Sequence, residues 1–84
     1  MLTLPKTIQI GENKLKQICR EGNYAIYKMI NRDSYEVIRI KKLNNTEYYP
    51  PSNSWSVDGF TCTSKEDAYE RLEQMIKAAK KLNK

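Results

Sequence analysis

Cations and tyrosines alternate along two neighbouring segments in the first half of the chain. The residues concerned are Tyr24, Lys28, Tyr35, Arg39 and Lys41. Nucleic-acid binders need positive charge for phosphate groups and flat rings against which bases stack. The sequence therefore predicts that these side chains form a surface that binds a partner. The same residue types are also common on the ordinary solvent face of a sheet.

A β-hairpin is the element that brings these side chains together. Residues 23–30 and 35–42 are rich in β-branched and aromatic residues, and residues 31–34 between them favour a turn. An even turn pairs Ile30 with Tyr35, and the pairs that follow are Lys28–Val37, Ile26–Arg39 and Tyr24–Lys41. One face then carries Ala25, Tyr27, Met29, Ile38 and Ile40, and we expect it to lie beneath the closing helix. The opposite face carries the cations.

Apolar side chains stand among the cations of that second face. They are Ile26, Ile30 and Val37, and if they were bare they would form an exposed apolar patch. We expect the N-terminal arm, a short helix or a partner chain to cover them. One form of that partner is a second copy of the protein.

The closing helix is the clearest element of the sequence. Ser64 is a good N-cap with Asp67 three residues later. Apolar residues then recur at helical spacing at Ala68, Tyr69, Leu72, Met75, Ile76, Ala79 and Leu82. A second basic patch ends the helix, formed by Lys77, Lys80, Lys81 and Lys84. It can contact phosphate, and it also compensates the helix dipole.

The remaining segments complete a small α+β domain. Residues 1–10 predict an extended arm, and the spacing of Leu15, Ile18 and Cys19 before Gly22 predicts a short helix. Residues 43–54 predict a loop, and residues 55–63 predict a third strand with Trp55 and Phe60 as core anchors. We thus expect one domain over residues 1–84. It consists of a short N-terminal helix, a three-stranded antiparallel sheet and a long C-terminal helix packed on one sheet face.

The residue types argue against an enzyme. The chain has no histidine, and its three glycines are too scattered to form a phosphate loop. Cys19 and Cys62 have no metal-ligand spacing and no histidine to activate them, so we interpret both as small core residues with reduced thiols. The sequence predicts no catalytic residue, no metal site and no cofactor.

Composition narrows the setting of the protein. The 84 residues carry a net charge of +5, which favours nucleic acid or an acidic protein surface as partner. No apolar run is long enough to cross a bilayer, and the first residues lack the pattern of a signal peptide. We therefore expect a cytoplasmic protein that does not bind membranes.

Two resemblances add to this interpretation. Residues 59–69, from Gly59-Phe60 through Ser64 to Ala68-Tyr69, resemble the strand-to-helix joint of AP2-type and integrase-arm DNA-binding domains. The run Tyr49-Pro50-Pro51-Ser52-Asn53, followed by Trp55, Gly59-Phe60 and the helix, resembles small uncharacterised βββα proteins of phages and mobile elements. The first resemblance implies DNA binding through a sheet, and the second implies an antagonist of a host defence complex.

These observations lead to one main hypothesis and two alternatives. The main one is a non-catalytic protein that engages a nucleic acid or a nucleoprotein complex, as an anti-CRISPR-like, phage-type inhibitor of a host defence nuclease. The first alternative is a module that binds DNA or RNA directly and without sequence preference. The second is a structural module that self-associates through Ile26, Ile30 and Val37.

Overall fold

The computed structural model describes residues 3–50 and 59–82, with side chains as far as Lys80. In that part of the chain there are seven strands and one helix. They are β1 Thr7–Ile10, β2 Asn13–Glu21, β3 Tyr24–Met29, β4 Tyr35–Arg39, β5 Lys41–Leu43, β6 Thr46–Tyr48, β7 Gly59–Cys62 and α1 Lys65–Leu82. Five strands form one antiparallel sheet in the order β1-β2-β3-β4-β7, and β5 and β6 form a separate hairpin. The predicted α+β class is confirmed, and the sheet is larger than the three strands expected.

The predicted N-terminal helix is wrong, because residues 13–21 form strand β2. The pairing of β2 with β3 shifts by one residue between Gln17 and Cys19, which marks a β-bulge. Leu15 packs on one side of the sheet, whereas Ile18 and Cys19 on either side of the shift both pack on the other. The bulge thus spaces apolar residues three and four positions apart, which imitates the spacing of a helix.

Tight turns join the first three strands. Ile10 pairs with Asn13 and Glu21 pairs with Tyr24, so each turn has two residues. Gly11 and Gly22 begin these turns with φ of 61° and 62°. Left-handed backbone at this position suits the twist of a hairpin and costs glycine little. Gly22 therefore begins a turn between strands and does not end a helix.

The β3–β4 hairpin forms in a register that differs from the predicted one by two residues. Lys28 pairs with Tyr35 and Tyr24 pairs with Arg39, while the Met29 amide donates to the Ser34 carbonyl at 3.0 Å. β3 ends at Met29, so the turn begins at residue 30, one residue earlier than predicted. A shift of two residues leaves every side chain on its original face, because side chains alternate with a period of two. The predicted division of the hairpin into two faces is therefore correct.

The helix covers the face that was predicted to stay open. Ile26 and Val37 are fully buried against Ala68 and Leu72 of α1, whereas Ile38 and Ile40 lie on the opposite face. The expectation that Ile38 and Ile40 lie beneath the helix is wrong. With Ile26 and Val37 buried, the dimer surface predicted from Ile26, Ile30 and Val37 does not exist, although Ile30 itself is 48% exposed.

The N-terminal arm closes the other side of the sheet. Leu4 packs there into a cluster with Leu15, Ala25, Tyr27, Ile38 and Ile40, against which Ile8, Met29 and Tyr49 also pack. The arm ends in β1, so only its first part lacks a strand partner. The sheet is thus buried on both faces, by α1 on one side and by the N-terminal arm on the other.

The start of α1 agrees with the prediction. The amide of Asp67 donates to the Ser64 hydroxyl at 3.1 Å, and the amide of Ala68 donates to the Ser64 carbonyl at the same distance. Ser64 is therefore the N-cap.

The region after β4 was predicted as a loop over residues 43–54, but its first part is the hairpin of β5 and β6. Asn44 and Asn45 both have positive φ, as a tight turn between Leu43 and Thr46 requires. The predicted third strand is confirmed over Gly59–Cys62. The expected role of Trp55, and the rest of residues 51–58, lie outside the described residues.

A buried tyrosine fastens the arm to the sheet, and we expect it to contribute measurably to stability. The Tyr27 hydroxyl donates to the Pro5 carbonyl at 2.7 Å and accepts from Gln17 Nε2 at 3.0 Å. Tyr27→Phe removes both bonds and should lower the free energy of unfolding by about 1–2 kcal/mol. Urea denaturation measures this loss. The control is Tyr48→Phe, which alters a tyrosine that is 48% exposed; equal midpoints for the two variants would contradict the role of Tyr27.

Candidate nucleic-acid interface

The five residues predicted to bind a partner divide into two groups. Tyr24 and Arg39 face each other at one end of the β3–β4 hairpin, and Lys28 and Tyr35 face each other at the other end. Four residues along a strand separate the two pairs by about 13 Å. Lys41, the first residue of β5, lies with the pair of Tyr24 and Arg39. The predicted surface is therefore not one continuous patch.

Lys28 has a structural role at its end of the hairpin. Its Nζ donates to the carbonyls of Met29 and Arg32, both at 3.1 Å, and lies 5.8 Å from the centre of the Tyr35 ring. These contacts hold the β3–β4 turn. We therefore place neither Lys28 nor Tyr35 in the candidate site.

The other end of the hairpin meets the end of the helix. The strand and helix residues that meet there enclose what we call the terminal groove, lined by Asn23, Tyr24, Arg39, Ile40, Lys41, Lys42 and Ala79. Ala79 belongs to the last turns of α1, next to Lys80. The helix thus brings part of its basic patch to the end of the sheet that holds Arg39 and Lys41.

The basic patch on α1 is only partly described. Lys77 and Lys80 are exposed, and Lys77 Nζ lies 3.0 Å from a Glu73 carboxylate oxygen four residues earlier. The side chain of Lys81 and all of Lys84 lie outside the described residues. Lys77 and Lys80 line a groove on the far side of α1 from Arg39, so they flank the terminal groove rather than enter it.

No acidic residue is among the described residues that line the terminal groove. Glu66 and Asp67 lie in the first turn of α1, at the opposite end of the helix. Glu21 pairs with Tyr24 across β2 and β3, but its side chain lines the groove on the far side of α1. The described lining residues of the groove thus include three cations, and cations attract anions.

The carboxylate of Glu47 lies near the terminal groove and binds Arg20 and the N-terminal arm. The Glu47 carboxylate accepts hydrogen bonds from Nη1 and Nη2 of Arg20, both at 2.7 Å, and from the Leu4 amide at 2.9 Å. Hydrogen bonding to Arg20, followed by the bond from Leu4, lowers the pKa of Glu47 to about 2. Lys42 Nζ is 4.0 Å from the same carboxylate, so the charge of Lys42 is partly balanced.

A second groove lies beside the first, between α1 and β7. Tyr24, Arg39 and Ala79 line both grooves, and the second groove adds Phe60, Arg71, Gln74, Met75 and Ala78. We call it the lateral groove. The Arg71 guanidinium lies over the Phe60 ring, 4.3 Å from the ring centre. Arg71 was not predicted as a site residue, although it stands three residues after Ala68 and four before Met75, at the edge of the buried helix stripe.

The two cysteines are separate thiols. Cys19 lies on β2 and Cys62 on β7, with β3 and β4 between them, and both are half-buried beside the helix. They were predicted as small core residues, and the structure places them at the edge of the core, where both pack against the cluster beneath the helix. Burial raises the pKa of the Cys62 thiol, which makes the reactive thiolate scarce at neutral pH.

The Glu36 carboxylate is buried on the sheet face that points away from α1. Glu36 is 5% exposed, and burial raises its pKa although the Thr61 hydroxyl donates to it at 2.8 Å. A general acid has to reach the proton acceptor on its substrate. Within residues 3–50 and 59–80 the structure contains no group of three metal-ligating side chains.

The described residues include no helix that is long and apolar enough to span a bilayer. No family model matches the chain, and comparisons with curated proteins and with solved structures found no significant match.

Proposed function

We propose that this protein is a non-catalytic binding module that engages the phosphate groups of a nucleic acid, alone or within a nucleoprotein complex. One observation carries the proposal: Arg39, Lys41 and Lys42 line a single groove whose described walls contain no carboxylate. The net charge of +5 supports it, because long-range attraction speeds association with a polyanion.

The residue types in the groove favour phosphate as the ligand. Arginine offers a planar fork of donors that matches phosphate oxygens, and lysine adds a compact charge. The backbone amides and carbonyls of β3 and β4 hold Tyr24 and Arg39 opposite each other, so the groove has a rigid floor. A rigid site loses little conformational freedom when a ligand binds.

Several features favour binding over catalysis. The chain contains no histidine, and the Cys62 thiol has a raised pKa. Glu36 is buried on the sheet face that points away from α1. None of these groups lines the terminal groove. Among the described residues of the groove, a ligand would meet cations and a tyrosine ring, but no carboxylate, histidine or thiol that could act as a general base.

The sign of the charge limits how such a module could inhibit a defence nuclease. An inhibitor that imitates DNA presents acidic groups to the basic channel of the enzyme, whereas this groove is basic. If the protein acts on a nuclease of the CRISPR type, we propose that it contacts the guide or target strand and not the channel. The protein would then bind nucleic acid in either case, whether the nucleic acid is free or part of a nucleoprotein complex.

Salt dependence tests direct binding. Fluorescence anisotropy with labelled single- and double-stranded DNA and RNA should show affinity that falls as salt is raised from 50 to 300 mM. Three phosphate contacts give a slope of log K against log salt of about −2 for single strands and about −2.7 for duplex DNA. If no nucleic acid binds at the lowest salt concentration, direct binding is excluded. A pull-down with and without nuclease treatment then tests the nucleoprotein form.

A further inference from the structure

The lateral groove differs in character from the terminal groove that it adjoins. Its volume is about 410 Å³, within the range of about 300–1,000 Å³ that small-ligand pockets occupy. Phe60, Met75, Ala78 and Ala79 give it mainly apolar walls. The terminal groove, by contrast, is mainly polar. A ligand that fills both must combine a charged part with an apolar part.

The polar groups of the lateral groove favour a flat, electron-rich ligand. Arg39 and Arg71 place two guanidinium groups on its walls, and Gln74 adds an amide that can both donate and accept. No carboxylate occurs among its described lining residues. The Arg71 guanidinium lies over the Phe60 ring, 4.3 Å from its centre, so the outer side of the guanidinium offers a planar cationic surface that is backed by an aromatic ring. Nucleobases stack on guanidinium planes of this kind.

The two grooves adjoin at shared residues. Tyr24, Arg39 and Ala79 line both, so a ligand that spans the two grooves would contact these three residues from either side. A nucleotide has this combination of parts, with its phosphate and its base on either side of the sugar. The arrangement of the grooves matches it, with cations at one end and apolar and aromatic walls at the other.

We infer that the lateral groove receives an unpaired nucleobase while the terminal groove holds the adjacent phosphates, so that the protein prefers single-stranded nucleic acid. This inference rests on the proposed function and narrows its substrate class. In a duplex the bases are stacked and paired, and placing one in a groove costs the energy of unstacking it. A single strand pays much less of that cost.

An abasic oligonucleotide separates base recognition from phosphate binding. Three probes of equal length are compared at one salt concentration: single-stranded DNA, the same backbone with abasic residues, and duplex DNA. A matched RNA strand tests the second source of the same chemistry. We expect the wild-type protein to bind the base-containing single strands at least about 5-fold more tightly than the abasic strand, because base–aromatic stacking is favourable.

A variant locates the effect in the lateral groove. Phe60→Leu keeps an apolar side chain opposite Val37 but removes the aromatic ring that supports the Arg71 guanidinium. Affinity for base-containing strands should fall by about 5- to 10-fold, with affinity for the abasic strand unchanged. The matched control is Tyr69→Leu, which removes an aromatic ring on the far side of α1 and should change neither affinity.

The outcomes distinguish this inference from the proposed function. Equal binding of abasic and base-containing strands overturns the inference and leaves phosphate binding intact, as does duplex binding as tight as single-strand binding. A lack of binding to every probe overturns the inference and also rejects direct binding of nucleic acid, so that only the nucleoprotein form of the proposed function goes on to the pull-down. The comparison of probes uses the wild-type protein, so it remains decisive even if Phe60→Leu does not fold.

Discussion

Reversing the charge of Arg39 and Lys41 together should weaken nucleic-acid binding by at least about 100-fold. Both side chains line the terminal groove, and glutamate at either position would face the phosphates with a like charge. Such a juxtaposition costs several kcal/mol, and each 1.4 kcal/mol is a factor of ten in affinity. The salt slope for single strands should also fall, from about −2 to about −0.7, because only Lys42 of the three cations remains.

A matched control separates the effect of charge in the terminal groove from the effect of the protein's net charge. Lys14→Glu combined with Lys16→Glu makes the same change in net charge on β2, and both lysines are exposed. Lys16 pairs with Lys28, at the end of the sheet away from Tyr24 and Arg39. We expect this control to reduce affinity only modestly, through the weaker long-range attraction.

The comparison of the two double variants decides between a site and a general charge effect. Equal losses of affinity would mean that the protein binds through its overall charge, and the terminal groove would lose its assigned role. Thermal unfolding by circular dichroism checks that both variants are folded. Lys28 is left unchanged, because its contacts to the Met29 and Arg32 carbonyls make any effect on binding hard to separate from folding.

Local patterns in the sequence carried most of the correct predictions. The alternation of Ala25 and Tyr27 with the residues between them assigned the two faces of the hairpin, and that assignment survives the two-residue shift in register. The apolar period and the Ser64 cap identified α1. Both signals are short-range, since the residues that create them are neighbours within a single element.

The errors arose where the structure depends on distant contacts. The bulge in β2 produced apolar spacing that favours a helix, and only pairing with β1 and β3 reveals that the segment is extended. The choice of face for α1 also depends on what covers the other face. That cover is the N-terminal arm, which is far from the hairpin in sequence.

Only part of the candidate site was predicted, because the remaining part depends on contacts between residues that are distant in sequence. Tyr24, Arg39 and Lys41 were identified from their residue types, because cations and rings near each other suggest a ligand. Phe60 was predicted only as a core anchor, and Arg71 was missed. The contact between them joins a strand to a helix, and no single-element pattern reports it. Glu47 was missed as well, since its partners lie on the arm and on β2.

Glu47 should make the fold sensitive to acid, and this is the second large effect that we expect. Its carboxylate joins three elements: the bidentate bond holds β2 through Arg20, the Leu4 amide holds the arm, and Glu47 itself lies in β6. The side chain is only 5% exposed. Glu47→Gln keeps the shape but removes the charge, so at pH 7 it should unfold at a clearly lower urea concentration than the wild type.

The pH dependence of that difference follows from the pKa. Folding lowers the pKa of Glu47 from 4.5 to about 2, so the unfolded chain binds a proton more readily than the folded chain. The stabilisation is therefore fully present above about pH 4.5 and is lost as the pH falls towards 2. Across this window the wild type should approach the stability of Glu47→Gln, which has no proton to gain at this position.

Glu36 acts in the opposite direction, and this makes the paired comparison necessary. Burial raises the pKa of Glu36, so its protonation in acid favours the folded state and offsets part of the loss that the wild type shows. Both proteins contain Glu36, and its contribution cancels in their difference. Urea midpoints at intervals from pH 7 to pH 2 therefore report Glu47 alone. A difference that stays constant over that range would mean that the Arg20–Glu47 pair does not hold the arm, β2 and β6 together through its charge.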